Sequence, residues 1–131
     1  MKFAKRVFLV AGIYGLVVVL PMYFMEAKTG REYPPAITHP EFYYGFIGVT
    51  LACQVLFLVL STNPIRYRPM MIPAILEKVG FVIAAAVLFL QNRIPTPALI
   101  GASIDLLLAV LFVLAYLKTP SQTILKVDQS L

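Results

Sequence analysis

The chain has 131 residues, of which 60% are apolar and only 13% charged, with no tryptophan and a mean hydropathy of +0.87. A soluble domain carries about a quarter charged residues, so a water-facing globule is excluded and the hydrocarbon of a bilayer is the expected solvent. Eleven Lys and Arg against six Asp and Glu leave a net charge of +5, which in a chain this apolar points to lipid headgroups and topology and not to nucleic acid.

Four stretches are long enough to cross a core about 30 Å thick, which takes about 20 apolar residues in a helix. They are residues 7–25, 42–61, 70–90 and 98–117. Lipid offers open backbone no hydrogen-bond partners, and these continuous apolar runs lack the alternation of a barrel strand. The expected fold is therefore all-α: one transmembrane domain, an integral membrane four-helix bundle with antiparallel neighbours, followed by a flexible tail over residues 118–131.

The first span follows Lys2, Lys5 and Arg6. That start also suits a secretory signal, but the apolar run is longer than a signal core and no small-residue cleavage site follows it, so a retained helix is expected. The connection over residues 26–37 contains Tyr33-Pro34-Pro35 and should form a stiff, extended cover over the outer mouth. Thr38 and Glu41 have capping-box spacing, with Pro40 between them, which predicts that the second helix begins near Thr38; Asn63-Pro64 ends it. Pro69 and Pro73 bracket the start of the third helix. Thr96-Pro97 reads as cap and first-turn proline of the fourth, and Thr119-Pro120 stops it. Ile124, Leu125 and Val127 give the tail a weakly amphipathic character suited to the inner membrane surface.

Lys2, Lys5, Arg6, Arg66, Arg68, Lys118 and Lys126 flank the spans on one side; Lys28, Arg31 and Arg93 flank them on the other. This bias predicts that both termini are cytoplasmic. Membrane helices meet where small residues recur three or four apart, and the faces so marked are Ala11 with Gly15, Gly48 with Ala52, Gly80 with Ala84, and Ala98 with Ala102 and Ala109. Those faces suit a compact bundle, a homo-oligomer or a larger membrane complex.

Charges inside spans are costly and generally point into protein. Glu77, Lys78 and Asp105 are the three present. Glu77 falls on the Gly80 and Ala84 side of its helix, and Asp105 on the Ala98, Ala102 and Ala109 side. Counting inward from Met70 and Pro97, Lys78 and Asp105 lie about 12 Å below opposite surfaces, which leaves about 6 Å between their levels. A lysine can span most of that, so a Lys78–Asp105 ion pair is geometrically allowed, which would leave Glu77 as a second, protonatable carboxyl. Gln54 falls near the same level, and Tyr43, Thr50 and Gln54 extend a polar stripe outward as candidate lining of a narrow ligand or proton site. The alternative is that Glu77 sits in the opening turns of its helix, favoured by the dipole, while Lys78 snorkels to the inner headgroups.

His39 stands alone among histidines, and Cys53 lies roughly 20 Å deeper along the helix, so no metal centre or other cofactor is expected. Cys53 reads as inert packing. Tyr23, Phe24, Tyr33, Phe42, Tyr43 and Tyr44 gather as an interfacial aromatic belt does. The basic connection with Arg66, Tyr67 and Arg68 suits anionic headgroups or an acidic partner. Phosphate-binding loops, dinucleotide glycine patterns, nucleophile elbows and zinc motifs are absent from the sequence.

His39-Pro40-Glu41-Phe42-Tyr43-Tyr44-Gly45-Phe46, Asn63-Pro64-Ile65-Arg66-Tyr67-Arg68-Pro69, Leu76-Glu77-Lys78 and Asp105 carry a resemblance along nearly the whole chain. The chain resembles small bacterial four-span membrane proteins of unassigned activity and, in architecture, the DoxX-like proteins. That resemblance implies a bacterial inner-membrane location and no particular chemistry. Small multidrug transporters have a similar span count, but their essential acid lies in the first helix, and residues 7–25 here contain none. The expected function is a non-catalytic accessory or structural module among membrane lipids. The alternatives are a carrier of a small amphiphile or protons and, last, a membrane enzyme using Glu77 or Asp105.

Overall fold

Proline placement sets the ends of most elements in the computed structural model, which describes residues 1–122. Five α-helices follow one another: α1 (Lys2–Val19), α2 (Glu26–Glu32), α3 (Pro40–Thr62), α4 (Met71–Leu90) and α5 (Ala98–Lys118); the described residues contain no strand. All but α2 belong to segments long and apolar enough to cross a membrane. At Pro21 the missing N–H interrupts the α-helical ladder, and the chain tightens into 3-10 turns over Leu20–Phe24. Pro40 opens α3 at a position where a lost N–H costs nothing.

Asn63 caps the far end of α3, and its side-chain Oδ1 accepts the Arg66 backbone N–H at 3.1 Å. A short 3-10 turn at Arg68–Met70 then leads into α4. Asn92 terminates that helix with a φ of 57°, a left-handed conformation asparagine tolerates. The Arg93 N–H donates to the Leu88 carbonyl and the Asn92 N–H to that of Phe89, both at 2.9 Å. These two bonds satisfy carbonyls that a helix end otherwise leaves open and turn the chain back toward α5.

The main contacts run between α1 and α3 and between α4 and α5, and further contacts of α1 with α5 and α3 with α4 close the ring. Phe8, Phe57 and Phe112 are fully buried where the ring is tightest. The Phe112 ring lies 4.5 Å from that of Phe8 and 4.9 Å from that of Phe57. Ala4, Ala11, Ala74 and Ala115 pack around them, small enough to let the backbones approach. Large apolar side chains such as Val10, Val49, Leu76 and Leu107 point outward, the pattern hydrocarbon solvent requires and water penalises.

Several local expectations are overturned. The first connection is not extended throughout: it folds into α2 before the Tyr33 to His39 segment. The Thr38–Glu41 capping box does not form; His39 caps α3 without a side-chain cap bond, and its Nδ1 lies 3.3 Å from Glu41 Oε1. Thr96 supplies no side-chain cap to α5, whose cap position is Pro97. Ala52, Gly80 and Ala84 are exposed, and a Cβ added at Gly80 would meet no atom within 4 Å. Small size marks where a helix can be approached, but neighbours reach only some of those faces. Ala11 with Gly15, and Ala102 with Ala109, are buried as expected. The amphipathic reading of Ile124, Leu125 and Val127 lies outside the described residues.

Candidate functional site

The α4 face turned toward its neighbours is built from Met71, Ala74, Lys78 and Ala85, not from Gly80 and Ala84. This rotation carries Lys78 inward until 5% of it is exposed. Snorkelling to the headgroups is therefore excluded. Its Nζ lies 3.1 Å from Asp105 Oδ1 on α5 and 3.2 Å from Glu77 Oε2 on its own helix. Hydrogen-bond alignment with Glu77 is met by the longer contact to Oε1, at 3.5 Å, and the buried Oε2 has no hydrogen-bond partner among the described residues. Phe57 of α3 completes the surroundings, with its ring centroid 5.5 Å from the ammonium.

The three charges thus form one cluster. Two carboxylates share one ammonium, a formal charge of −1 at a site where ions are costly. The Asp105 pair joins two helices, whereas Glu77 is the neighbour of Lys78 in sequence and makes no ion pair or hydrogen bond to a second element among the described residues. The Glu77 side chain is 21% exposed and that of Asp105 17%, against 6% for Lys78.

The polar stripe on α3 does not join the cluster. Gln54 turns toward α1, where a Cβ added at Gly15 would collide with its side-chain amide and one at Gly12 would come within 3.0 Å of its backbone carbonyl. Close approach favours glycine at both positions. Gln54 Nε2 donates to the Thr50 carbonyl at 2.9 Å, while Oε1 is buried without a hydrogen-bond partner among the described residues. Thr50 is buried beside it, and Tyr43 points elsewhere, its hydroxyl donating to the Met22 carbonyl at 2.7 Å. Of the six expected site residues, Glu77, Lys78 and Asp105 come together; Thr50 and Gln54 form a second site against α1; Tyr43 belongs to the α1–α3 end.

No protein family, curated protein or solved structure matches this chain. The reading of the site consequently rests on its own geometry. Among the described residues, surface pockets lie apart from these six: one beside α2, one in the groove between α4 and α5 near Ser103, and one under the connection from α3 to α4.

Sequence reasoning missed Phe57, although it stands one turn beyond Gln54 and on the same face by the i, i+3 rule. It also missed the role of Arg68. The Arg68 Nε donates to the Thr119 carbonyl at 2.7 Å, and its guanidinium lies 3.9 Å from the Tyr116 ring centroid. That contact fastens the connection between α3 and α4 to the end of α5. At the same end Lys118 Nζ lies 4.8 Å from the Phe3 ring centroid, and the Thr119 hydroxyl donates back to the Ala115 carbonyl at 2.7 Å.

Proposed function

We propose that the protein is a small multi-pass module without catalysis, a structural or accessory component of a membrane, in which Lys78 and Asp105 clasp α4 to α5. The observation that carries this reading is the buried ammonium shared across two helices. A buried ion pair contributes little net stability but penalises every arrangement that separates its partners, and so selects one helix register. The test is Asp105→Ala with detergent stability and co-purification of membrane partners. Loss of stability or of partners is expected; full retention of both refutes the clasp.

The same reading includes antiparallel neighbours, cytoplasmic termini and a location in a bacterial inner membrane. Contacts support the first: Lys118 meets Phe3, and Arg68 meets Thr119, so the start of α1, the end of α5 and the α3–α4 connection share an end. That end carries Lys2, Lys5, Arg6, Arg66, Arg68 and Lys118 with no acid among the described residues, while the opposite end balances Lys28, Arg31 and Arg93 against Glu26, Glu32 and Glu41. The asymmetry is what positive-inside insertion selects. Homo-oligomerisation or docking into a larger complex belongs to the same proposal, and native electrophoresis of solubilised membranes separates the two.

A second reading rests on the surplus carboxylate. Glu77 and Asp105 together exceed the charge of Lys78 by one, which suits a site that takes up and releases a proton. Proteoliposomes with an internal pH dye test it: proton flux lost in Asp105→Asn with the fold intact supports a carrier, and absence of flux in the parent removes this reading.

A further inference from the structure

The connection between α3 and α4 and the residues after α5 enclose a pocket of about 220 Å³, lined by Ile65, Arg66, Arg68, Pro69, Ser121 and Gln122. The wall supplied by the connection is tied down by its own contacts. Pro64 is fully buried, the Tyr67 N–H donates to the Asn63 carbonyl at 3.1 Å, and the Met70 N–H donates to that of Tyr67 at 2.8 Å. Arg68 is anchored through Nε and through one face on Tyr116. Neither of its Nη groups is engaged in a hydrogen bond or ion pair among the described residues. Arg66 makes a single described side-chain contact, its guanidinium carbon lying 5.6 Å from the Tyr67 ring centroid.

Among the described residues no counter-charge lies here. The described carboxylates are Glu26, Glu32 and Glu41 at the opposite end, and Glu77 and Asp105 around Lys78. Two guanidiniums, that of Arg68 anchored and that of Arg66 exposed, therefore border one hollow with no acid between them among the described residues. The guanidinium fork matches phosphate oxygens in geometry as well as charge. Ile65 and Pro69 give the same hollow an apolar wall, and it lies at the helix ends, at headgroup level in the membrane reading.

We propose that this pocket binds a phosphate-bearing anion, with Arg66 and Arg68 as its ligands. The shared chemistry is phosphate, supplied by the phosphodiester of an anionic phospholipid or by a free phosphate. The site is separate from the Lys78 cluster, and its failure would leave the clasp reading untouched.

Native mass spectrometry of the full chain in detergent distinguishes the sources, using dioleoylphosphatidylglycerol, dioleoylglycerol and inorganic phosphate as separate probes. Dioleoylphosphatidylglycerol should bind, and dioleoylglycerol, with the same chains and no phosphate, should not. Arg66→Gln should weaken the binding by about tenfold, the size of one charge-assisted hydrogen bond, and Arg93→Gln at the opposite end should leave it unchanged. Binding of inorganic phosphate that Arg66→Gln abolishes would make the source soluble and still support the site. Arg68 also holds Thr119 and Tyr116, so the second variant is Arg68→Lys, which keeps the charge but loses the fork; an intermediate loss is expected, with circular dichroism checking the fold. Equal binding of phosphatidylglycerol by the parent and Arg66→Gln, or binding of neither phosphate probe by the parent, overturns the proposal.

Discussion

Replacing Lys78 with methionine tests the clasp most severely. Methionine keeps much of the side-chain volume and removes only the ammonium, so two carboxylates, formerly 3.1 and 3.2 Å from Nζ, face each other without a cation. At 3.1 Å and an effective dielectric of about 20, each opposite-charge contact has a gross attraction of about 5 kcal/mol, most of it offset by desolvation. The mutational cost is dominated by what is left behind. Removing one partner of a buried pair costs about 3–5 kcal/mol, because the other charge stays uncompensated, and Lys78→Met belongs in that range unless both carboxyls take up protons. Asp105→Ala leaves Lys78 with Glu77, a neutral pair, and should cost about 1–3 kcal/mol by the same reasoning. Glu77→Gln leaves the interhelical pair intact and should cost under about 1 kcal/mol. Helical circular dichroism in mixed micelles titrated with dodecyl sulfate reads these differences. The order Lys78→Met, Asp105→Ala, Glu77→Gln is the prediction, and Glu77→Gln proving the most damaging, or all three matching the parent, would refute it.

Lys78→Met combined with Glu77→Gln and Asp105→Leu removes every charge at once and should recover most of the stability lost in Lys78→Met, measured in the same titration. Gly15→Ala should destabilise by about 1–3 kcal/mol, because the added methyl would strike the buried Gln54 side chain; Gln54→Ala in the same chain should relieve that loss. Gly80→Ala, where the added methyl meets open space, should be neutral or slightly stabilising, and a loss like that at Gly15 would mean a neighbouring helix covers the face. Phe112→Ala should cost about 3 kcal/mol through the void left between Phe8 and Phe57. A reporter inserted in the Arg66 connection should show the orientation of an N-terminal tag, and one in the Arg93 connection the opposite, as read by alkaline-phosphatase and fluorescent-protein fusions.

The Lys78–Asp105 contact was legible from residue counts because helix rise is nearly constant and a lysine arm tolerates an error of a turn. Gln54 carried a similar depth estimate and proved to face a different helix, since depth says nothing about rotation about the helix axis. On α4 the same ambiguity concealed which residues turn inward: Gly80 and Ala84 form a small face, yet Met71, Ala74 and Lys78 are the ones covered. In water, polar residues would reveal the outer face. In lipid both faces are apolar, and periodicity loses that distinction.

Composition and run length alone determined that this chain is helical and suited to four crossings of a bilayer, because unpaired backbone is intolerable in hydrocarbon and every apolar segment must satisfy its own hydrogen bonds. Proline and asparagine positions similarly set most helix ends through missing donors and permitted dihedrals. Tertiary structure alone decided that Gln54 seats against Gly15, that three phenylalanines from α1, α3 and α5 meet, and that Arg68 ties the α3–α4 connection to Thr119. These depend on how each helix is turned about its own axis, which follows from the fit of surfaces distant in sequence and from no local signal.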